Sequence, residues 1–228
     1  MFNQDKNITD HHLFGTLSKE EKNLFENDLK KVSSPAGECF FMDNKNLDHI
    51  YFIEQGSILV GRNYGNQNKY ATHLYMQPMF LGIESLLISS NDEFAKSLTN
   101  IYYARINSTL FLDVLKKNVH FHDTIRKQIA YRLDCLEMKY NLLHGNVNFT
   151  DRLKHFFIEL AELNDSKSND EILINLHFTH FEIAQYLHSS RQSISSGLSK
   201  MRKKGMIDYG RNWMKIIDLE KLKCWDSS

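Results

Sequence analysis

The stretch at 179–207, THFEIAQYLHSSRQSISSGLSKMRKKGMI, constrains the fold more tightly than any other part of the chain. Thr179 and Glu182 have the spacing of a capping box, in which the hydroxyl accepts from the amide three residues on and the carboxylate reaches back. Ile183, Ala184 and Leu187 then share one face, and Ala184 is small enough for a second helix to cross closely. Ser189 and Gln192 offer a second capping box, opening a helix with Ile194, Leu198 and Met201 inward. Two helices joined by three or four residues form a helix-turn-helix. The outer face of the second helix carries Arg191, Gln192, Ser195, Ser196, Ser199 and Arg202. Serine is a mediocre helix former, so Ser190, Ser193, Ser195, Ser196 and Ser199 along one run need a reason other than helix stability. Short hydroxyls let a helix backbone approach a groove floor, and Arg and Gln have the forks that match guanine and adenine edges.

Charge points the same way. The chain is neutral overall, yet between 189 and 215 seven cations (Arg191, Lys200, Arg202, Lys203, Lys204, Arg211, Lys215) stand against Asp208 alone. A basic patch on a neutral protein implies a polyanion held by one module. Lys200, Arg202, Lys203 and Lys204 are placed to neutralise phosphates, with Arg211 on the following hairpin as a further contact. The plainer alternative is a solvated face. No apolar run approaches the roughly 20 residues that span a bilayer, so no membrane partner is expected. The opening MFNQDKNITDHH lacks the charged-then-apolar pattern of a secretory signal. Cys39, Cys135 and Cys224 are sparse, odd in number and without a CxxC pair. Both features fit a cytoplasmic location.

Upstream the periodicity changes twice. Residues 17–31 read as a short amphipathic helix with Leu17, Leu24, Phe25 and Leu29 on one side, preceded by a mobile terminus that holds the pair at 11–12. From about 32 to 106, short apolar runs alternate with turn residues, including Gly56 and the YGNQN at 64–68, which predicts a β-rich unit. A single long helix follows, from about 110 to 144. Within it Ile125, Ile129, Leu133, Leu136, Tyr140 and Leu143 are spaced 4, 4, 3, 4 and 3, a coiled-coil seam suited to a second copy of the chain; packing within the domain is the alternative. The helix ends at HGNVN (144–148), where Asn148 can cap another over 149–164, bearing Leu153, Phe156, Phe157 and Leu160. A strand-like ILINLHF, the two helices and a hairpin around YGRN complete the chain.

In this order the chain resembles the Crp/Fnr family of transcription regulators over nearly its whole length. PAGECFFMDNKNLDHIYFIEQGSILV is similar to the opening strands of that family's sensor roll, FLGIESLL to a later turn, and the 179–207 stretch to its DNA-binding signature, with Thr179, Ser190 and Arg191 at matching positions. The resemblance implies an α+β chain: a double-stranded, jelly-roll-like β-roll over 1–109, a dimerisation helix over 110–145 and a winged helix-turn-helix over 146–228. It also implies a homodimer on double-stranded DNA at an inverted repeat, RNA polymerase as a further partner, a small-molecule effector, and no enzymatic activity. Two departures bear on recognition. His188 stands where the family usually has the inter-helix glycine. The second helix reads Arg191-Gln192-Ser-Ile-Ser-Ser196, where the family commonly has Arg-Glu-x-x-x-Arg. An acceptor for cytosine and a guanine-reading Arg are lost, so the operator should differ by about 1–3 kcal/mol per changed pairing.

The sensor half departs further. Family members that bind cyclic nucleotide use a Gly-Glu turn and an Arg-Ser/Thr pair. Here Ile83 separates Gly82 from Glu84, and Lys96-Ser97 is the nearest pair, without the guanidinium fork. An iron–sulfur centre needs an N-terminal cysteine cluster, and only Cys39 is near. Haem ligation by His73, the His120/His122 pair, a thiol switch at Cys135, and a cupin-like metal enzyme on His49 and His73 are weaker readings than ordinary core or surface roles. No cofactor, metal or effector site is assigned. A regulator controlled by its own abundance remains the ligand-free alternative.

Overall fold

A computed structural model describes residues 7–41, 48–63, 69–76, 78–88, 93–145, 147–164 and 171–225. Among the described residues eight strands form the roll: β1 (Lys30–Ser34), β2 (Cys39–Phe41), β3 (His49–Gln55), β4 (Ile58–Asn63), β5 (Lys69–Tyr75), β6 (Met79–Leu81), β7 (Glu93–Ser97) and β8 (Ile101–Asn107). They make two four-stranded antiparallel sheets, ordered β1-β8-β3-β6 and β2-β7-β4-β5. Burial alternates along the first part of β3, with Ile50 and Phe52 buried and Tyr51 only partly so; Ile53 is buried as well, next to a register shift against β8 between Ile53 and Gln55. Gly56 makes the β3–β4 turn at φ +98°, and a Cβ there would lie 2.6 Å from the Asn100 carbonyl oxygen. The turn expected at 64–68 lies outside the described residues, although β4 and β5 pair as a hairpin on either side of it.

The N-terminal segment closes one end of the roll. Two 3-10 turns, Ile8–Asp10 and His12–Phe14, precede α1 (Lys19–Asp28), which Ser18 and Glu21 start with a capping box. At 11–12 the chain touches the roll: the His11 ring lies 5.3 Å from that of Phe52, while His12 is exposed. Phe14, Phe25, Phe52, Phe80, Phe111 and Phe121 share one core with Ile8, Leu17 and Ile125. Leu24, expected on the buried side of α1, is 52% exposed. Adjacent helical positions face about 100° apart, and here Phe25 takes the core.

The helix expected from 110 to 144 is two. After a short α2 (Ile83–Ile88) in the roll, α3 (Ser108–Lys117) and α4 (Val119–His144) meet at Asn118. Its side chain accepts from the Phe121 amide and donates to the Thr16 carbonyl and to Glu21 Oε2. An N-cap bonded to α1 is incompatible with continuing one helix through that residue. The start of α4 is thereby pinned beneath the aromatic core.

Beyond α4 lie α5 (Phe149–Leu163), β9 (Ile172–Ile174), α6 (His180–Tyr186), α7 (Arg191–Lys203), β10 (Ile207–Tyr209), β11 (Met214–Ile216) and α8 (Leu219–Lys223), an element the periodicity did not suggest. Asn148 caps α5 as expected, accepting from Asp151 N. The three strands form a sheet ordered β10-β11-β9. The core of this half is continuous with the roll: Leu59, Ala71, Leu74 and Leu98 pack in the same cluster as Phe156, Phe178, Ile183 and Tyr186. Across the same joint the His177 amide donates to the Leu98 carbonyl at 2.7 Å, and Lys96 is ion-paired with Glu182.

Candidate nucleic-acid interface

The two helices of the motif start and stop by identifiable devices. Thr179 caps α6 in the expected capping box; its hydroxyl accepts from Glu182 N, and the Glu182 carboxylate accepts from Thr179 N and Oγ1. α6 ends in a Schellman motif, with the His188 amide donating to the Gln185 carbonyl and the Ser189 amide to that of Ala184. The motif requires a left-handed residue where glycine is usual, and His188 takes it at φ 47°. α7 ends the same way, with Gly205 at φ +70° and bonds from Gly205 and Met206 to Arg202 and Met201. The second capping box does not form. Ser190, not Ser189, is the N-cap, accepting from Ser193 N at 3.0 Å, and Gln192 is left exposed.

α7 buries Ile194, Leu198 and Met201 on one side. Arg191, Gln192, Ser196, Lys200, Arg202 and Lys203 are exposed on the other, with Ser195 and Ser199 at its margin. The serines therefore divide into two groups. Ser190 and Ser193 build the cap, their hydroxyls 2.8 Å apart. Ser195 donates to the Arg191 carbonyl at 3.0 Å and meets His180 Nδ1 at 2.9 Å, while Ser196 lies on the open face. Gly197 is where α7 crosses α5; a Cβ there would come within 2.6 Å of Leu153.

Side chains that sequence reasoning passed over brace this surface. The His180 ring packs 5.6 Å from that of Tyr209 on β10, and Arg202 stacks on Tyr209 while Nε bonds Asp208 Oδ1 at 2.7 Å. Burial, with Arg191 nearby, draws the His180 pKa down, so the imidazole is neutral and holds Ser195 through one nitrogen. The capping pattern alone gives no sign of this chain of contacts, because His180 meets Ser195 and Tyr209 from another helix, 15 and more residues away. Lys215 is ion-paired with Glu171, and Lys200 and Lys204 approach the Trp225 ring at 5.7 and 5.3 Å. The cations most open to an incoming anion are Arg191, Lys203 and Arg211. Arg202 is next, since an exposed ion pair is worth only about 0–1 kcal/mol and exchanges readily for phosphate.

The seam residues of α4 divide. Ile125 is 3% exposed, buried in its own chain's core, and Ile129 packs against it. Leu133, Leu136 and Tyr140 are 64%, 38% and 62% exposed, and Leu143 is partly buried. Between them Arg132 points inward, ion-paired with Glu84 and Glu93 of the roll. Burial raises the Glu93 pKa, with Arg132 opposing. The groups weighed for a nucleotide phosphate are therefore engaged within the chain, Glu84 on Arg132 and Lys96 on Glu182. His73 is a core residue: its ring nitrogens meet Thr72 Oγ1 and the Arg132 carbonyl, and burial drives its pKa down to about 3. Among the described residues no three His, Cys, Asp or Glu side chains converge as a metal site, and no helix is long and apolar enough to cross a membrane.

Comparison with known proteins fits this geometry. Residues 151–225 match the model of the Crp-like helix-turn-helix domain. The chain is 23% identical over 224 residues to an anaerobic regulatory protein of Haemophilus influenzae, covering 96% of this chain and 85% of that one. Among solved structures it resembles a transcriptional regulator of the Crp/Fnr family from Eubacterium rectale (TM-score 0.71, 15% identity, covering 93% of this chain and 96% of that one). It is also similar to FixK2 from Bradyrhizobium japonicum (TM-score 0.72, 14% identity, 88% and 98%). A third likeness is to a c-di-GMP-responsive global regulator from Xanthomonas campestris (TM-score 0.69, 16% identity, 90% and 98%).

Proposed function

We propose, from the premise that this chain is a transcription regulator of the Crp/Fnr type, that it works in the cytoplasm as a homodimer reading an inverted repeat through α7. The observation that carries the reading is the two-sidedness of α7: an apolar stripe locked into its own domain and an opposite face of Arg191, Gln192, Ser196 and Lys203 turned to solvent. Arg191 and Gln192 are the base readers, with Ser196 allowing close approach. Lys200, Arg202, Lys203 and Arg211 hold phosphates, and Ser195 and Ser199 line the edge of the contact. Thr179 and Ser190 act as caps whose helix N-termini face the backbone.

The dimer is made by the exposed half of α4, with Leu133, Leu136, Tyr140 and Leu143 as the seam; Ile125 and Ile129 anchor the helix to the roll. The domain division is 1–109, 110–145 and 146–228. Because Lys96 and Glu84 are bonded within the chain, the roll does not take a cyclic nucleotide in the manner of the family's nucleotide-binding members. Regulation passes through the joint where Lys96 meets Glu182 and His177 meets Leu98. RNA polymerase is the downstream partner.

Selection of bound fragments from random duplex DNA tests the reading. The expected product is an inverted repeat with half-sites about 10–11 base pairs apart, centre to centre. Recovery of single half-sites, or of fragments without a common sequence, would refute the dimeric, sequence-reading function.

A further inference from the structure

Apart from the DNA-facing surface, a cavity of about 950 Å3 opens where β5, α4, α5 and α6 converge. Most of its wall is apolar, with Leu74, Met138 and Phe156 among the lining residues, but one side holds a compact polar group. Lys139 Nζ donates to the Ala71 and Thr72 carbonyls, both at 3.1 Å, and lies 3.2 Å from the centre of the Tyr186 ring. The Tyr186 hydroxyl donates to Glu159 Oε1 at 2.7 Å. An irregularity in β5 supplies one acceptor: His73 pairs with Val60 and Ala71 with Gly61, so Thr72 falls outside the ladder.

An aromatic face, two carbonyl oxygens and a neighbouring carboxylate are the groups that recognise an ammonium ion. Here the ammonium belongs to the chain itself. Burial draws the Lys139 amine down to about 7, with Glu159 pulling the other way. It is therefore a weaker holder of its proton than a free alkylamine, whose pKa is near that of an unburied lysine, about 10.4.

We propose that this cavity binds a small amphipathic primary amine, whose ammonium replaces that of Lys139 against the Tyr186 ring and the Ala71 and Thr72 carbonyls, within the field of Glu159, and whose apolar body fills the space beside Leu74, Met138 and Phe156. Lys139 is then an internal competitor tethering α4 to β5. Displacing it frees the joint between the roll and the helix-turn-helix. That consequence rests on the regulator reading; the binding itself requires no DNA.

Calorimetric titration of the full chain with hexylamine, hexanol and hexanoate, without DNA, tests the site. Wild-type protein should bind hexylamine at least tenfold more tightly than either control. Lys139→Met and Lys139→Gln, which remove the competitor, should each tighten hexylamine binding at least tenfold, and adding Glu159→Gln to either should reverse the gain. Equal affinity for hexylamine in wild type and both variants, or no preference for amine over alcohol, overturns the proposal. Thermal melting checks each variant's folding, and if neither folds, the wild-type ranking of the three probes decides. A separate titration of operator DNA with and without hexylamine addresses regulation. Unchanged DNA affinity with amine bound would remove the regulatory consequence, and absent DNA binding would defeat the regulator reading; the calorimetry stands apart from both.

Discussion

The two halves of α4 carry one continuous apolar pattern and do different things with it. Before Arg132, the stripe faces the protein's own interior, where Phe121 and Ile125 join the phenylalanine cluster under the roll. After Arg132, the same stripe leaves Leu133, Leu136 and Tyr140 exposed. A spacing pattern states that a face will be covered, but not by what. Here the buried guanidinium of Arg132, held between Glu84 and Glu93, marks the changeover.

The largest test of that contrast is Phe121→Ala, expected to lower protomer stability by about 3–5 kcal/mol, measured by denaturant unfolding. Tyr140→Ala should cost well under about 1 kcal/mol in a monomer. Similar costs for the two would erase the distinction. Leu133→Lys with Leu136→Lys should leave the roll folded but convert a sedimenting dimer to a monomer. Operator affinity should fall by about 100-fold or more as the second half-site contact becomes a separate event; a dimer that survives both charges would place the interface elsewhere.

On α7, likewise, one face is turned inward and the other outward. Arg191→Ala should cost about 1–3 kcal/mol on the cognate sequence and little on scrambled DNA, seen in competition binding; equal losses on both would deny it a base. His188→Gly should stabilise the chain by about 1 kcal/mol, because glycine meets no Cβ penalty at φ 47°. An unchanged or lower melting midpoint would mean that the ring's surroundings outweigh the backbone. The smallest effect is for Lys203→Ala, which should reduce the salt slope of DNA binding by about one unit with no change of preferred sequence.

How much could be read in advance depended on the range of the interaction. The capping box at Thr179, the cap at Asn148 and the inward stripe of α7 are set by residues within four or five positions, and each stands where local pattern placed it. Most departures were long-range, and the capping of α7 was a local one. Asn118 ends α3 because its amide reaches Thr16 and Glu21, about a hundred residues back. Gln192 is not in a capping box, because Ser190 already serves Ser193 N. His180 meets Ser195 and Tyr209 only once two helices and a strand have closed together.

Periodicity and capping act between near neighbours along the chain, and they were enough for a β-rich unit, a helical stretch and a helix-turn-helix with its hairpin, in that order, and for which side of α7 is apolar. Tertiary structure alone decided that α4 begins as core and ends as surface. It also decided that Lys96 turns to Glu182 rather than into the roll, and that Lys139 lies against Tyr186. Those outcomes depend on which distant groups are close enough to neutralise a charge or accept a proton once water is excluded, and no local spacing encodes that.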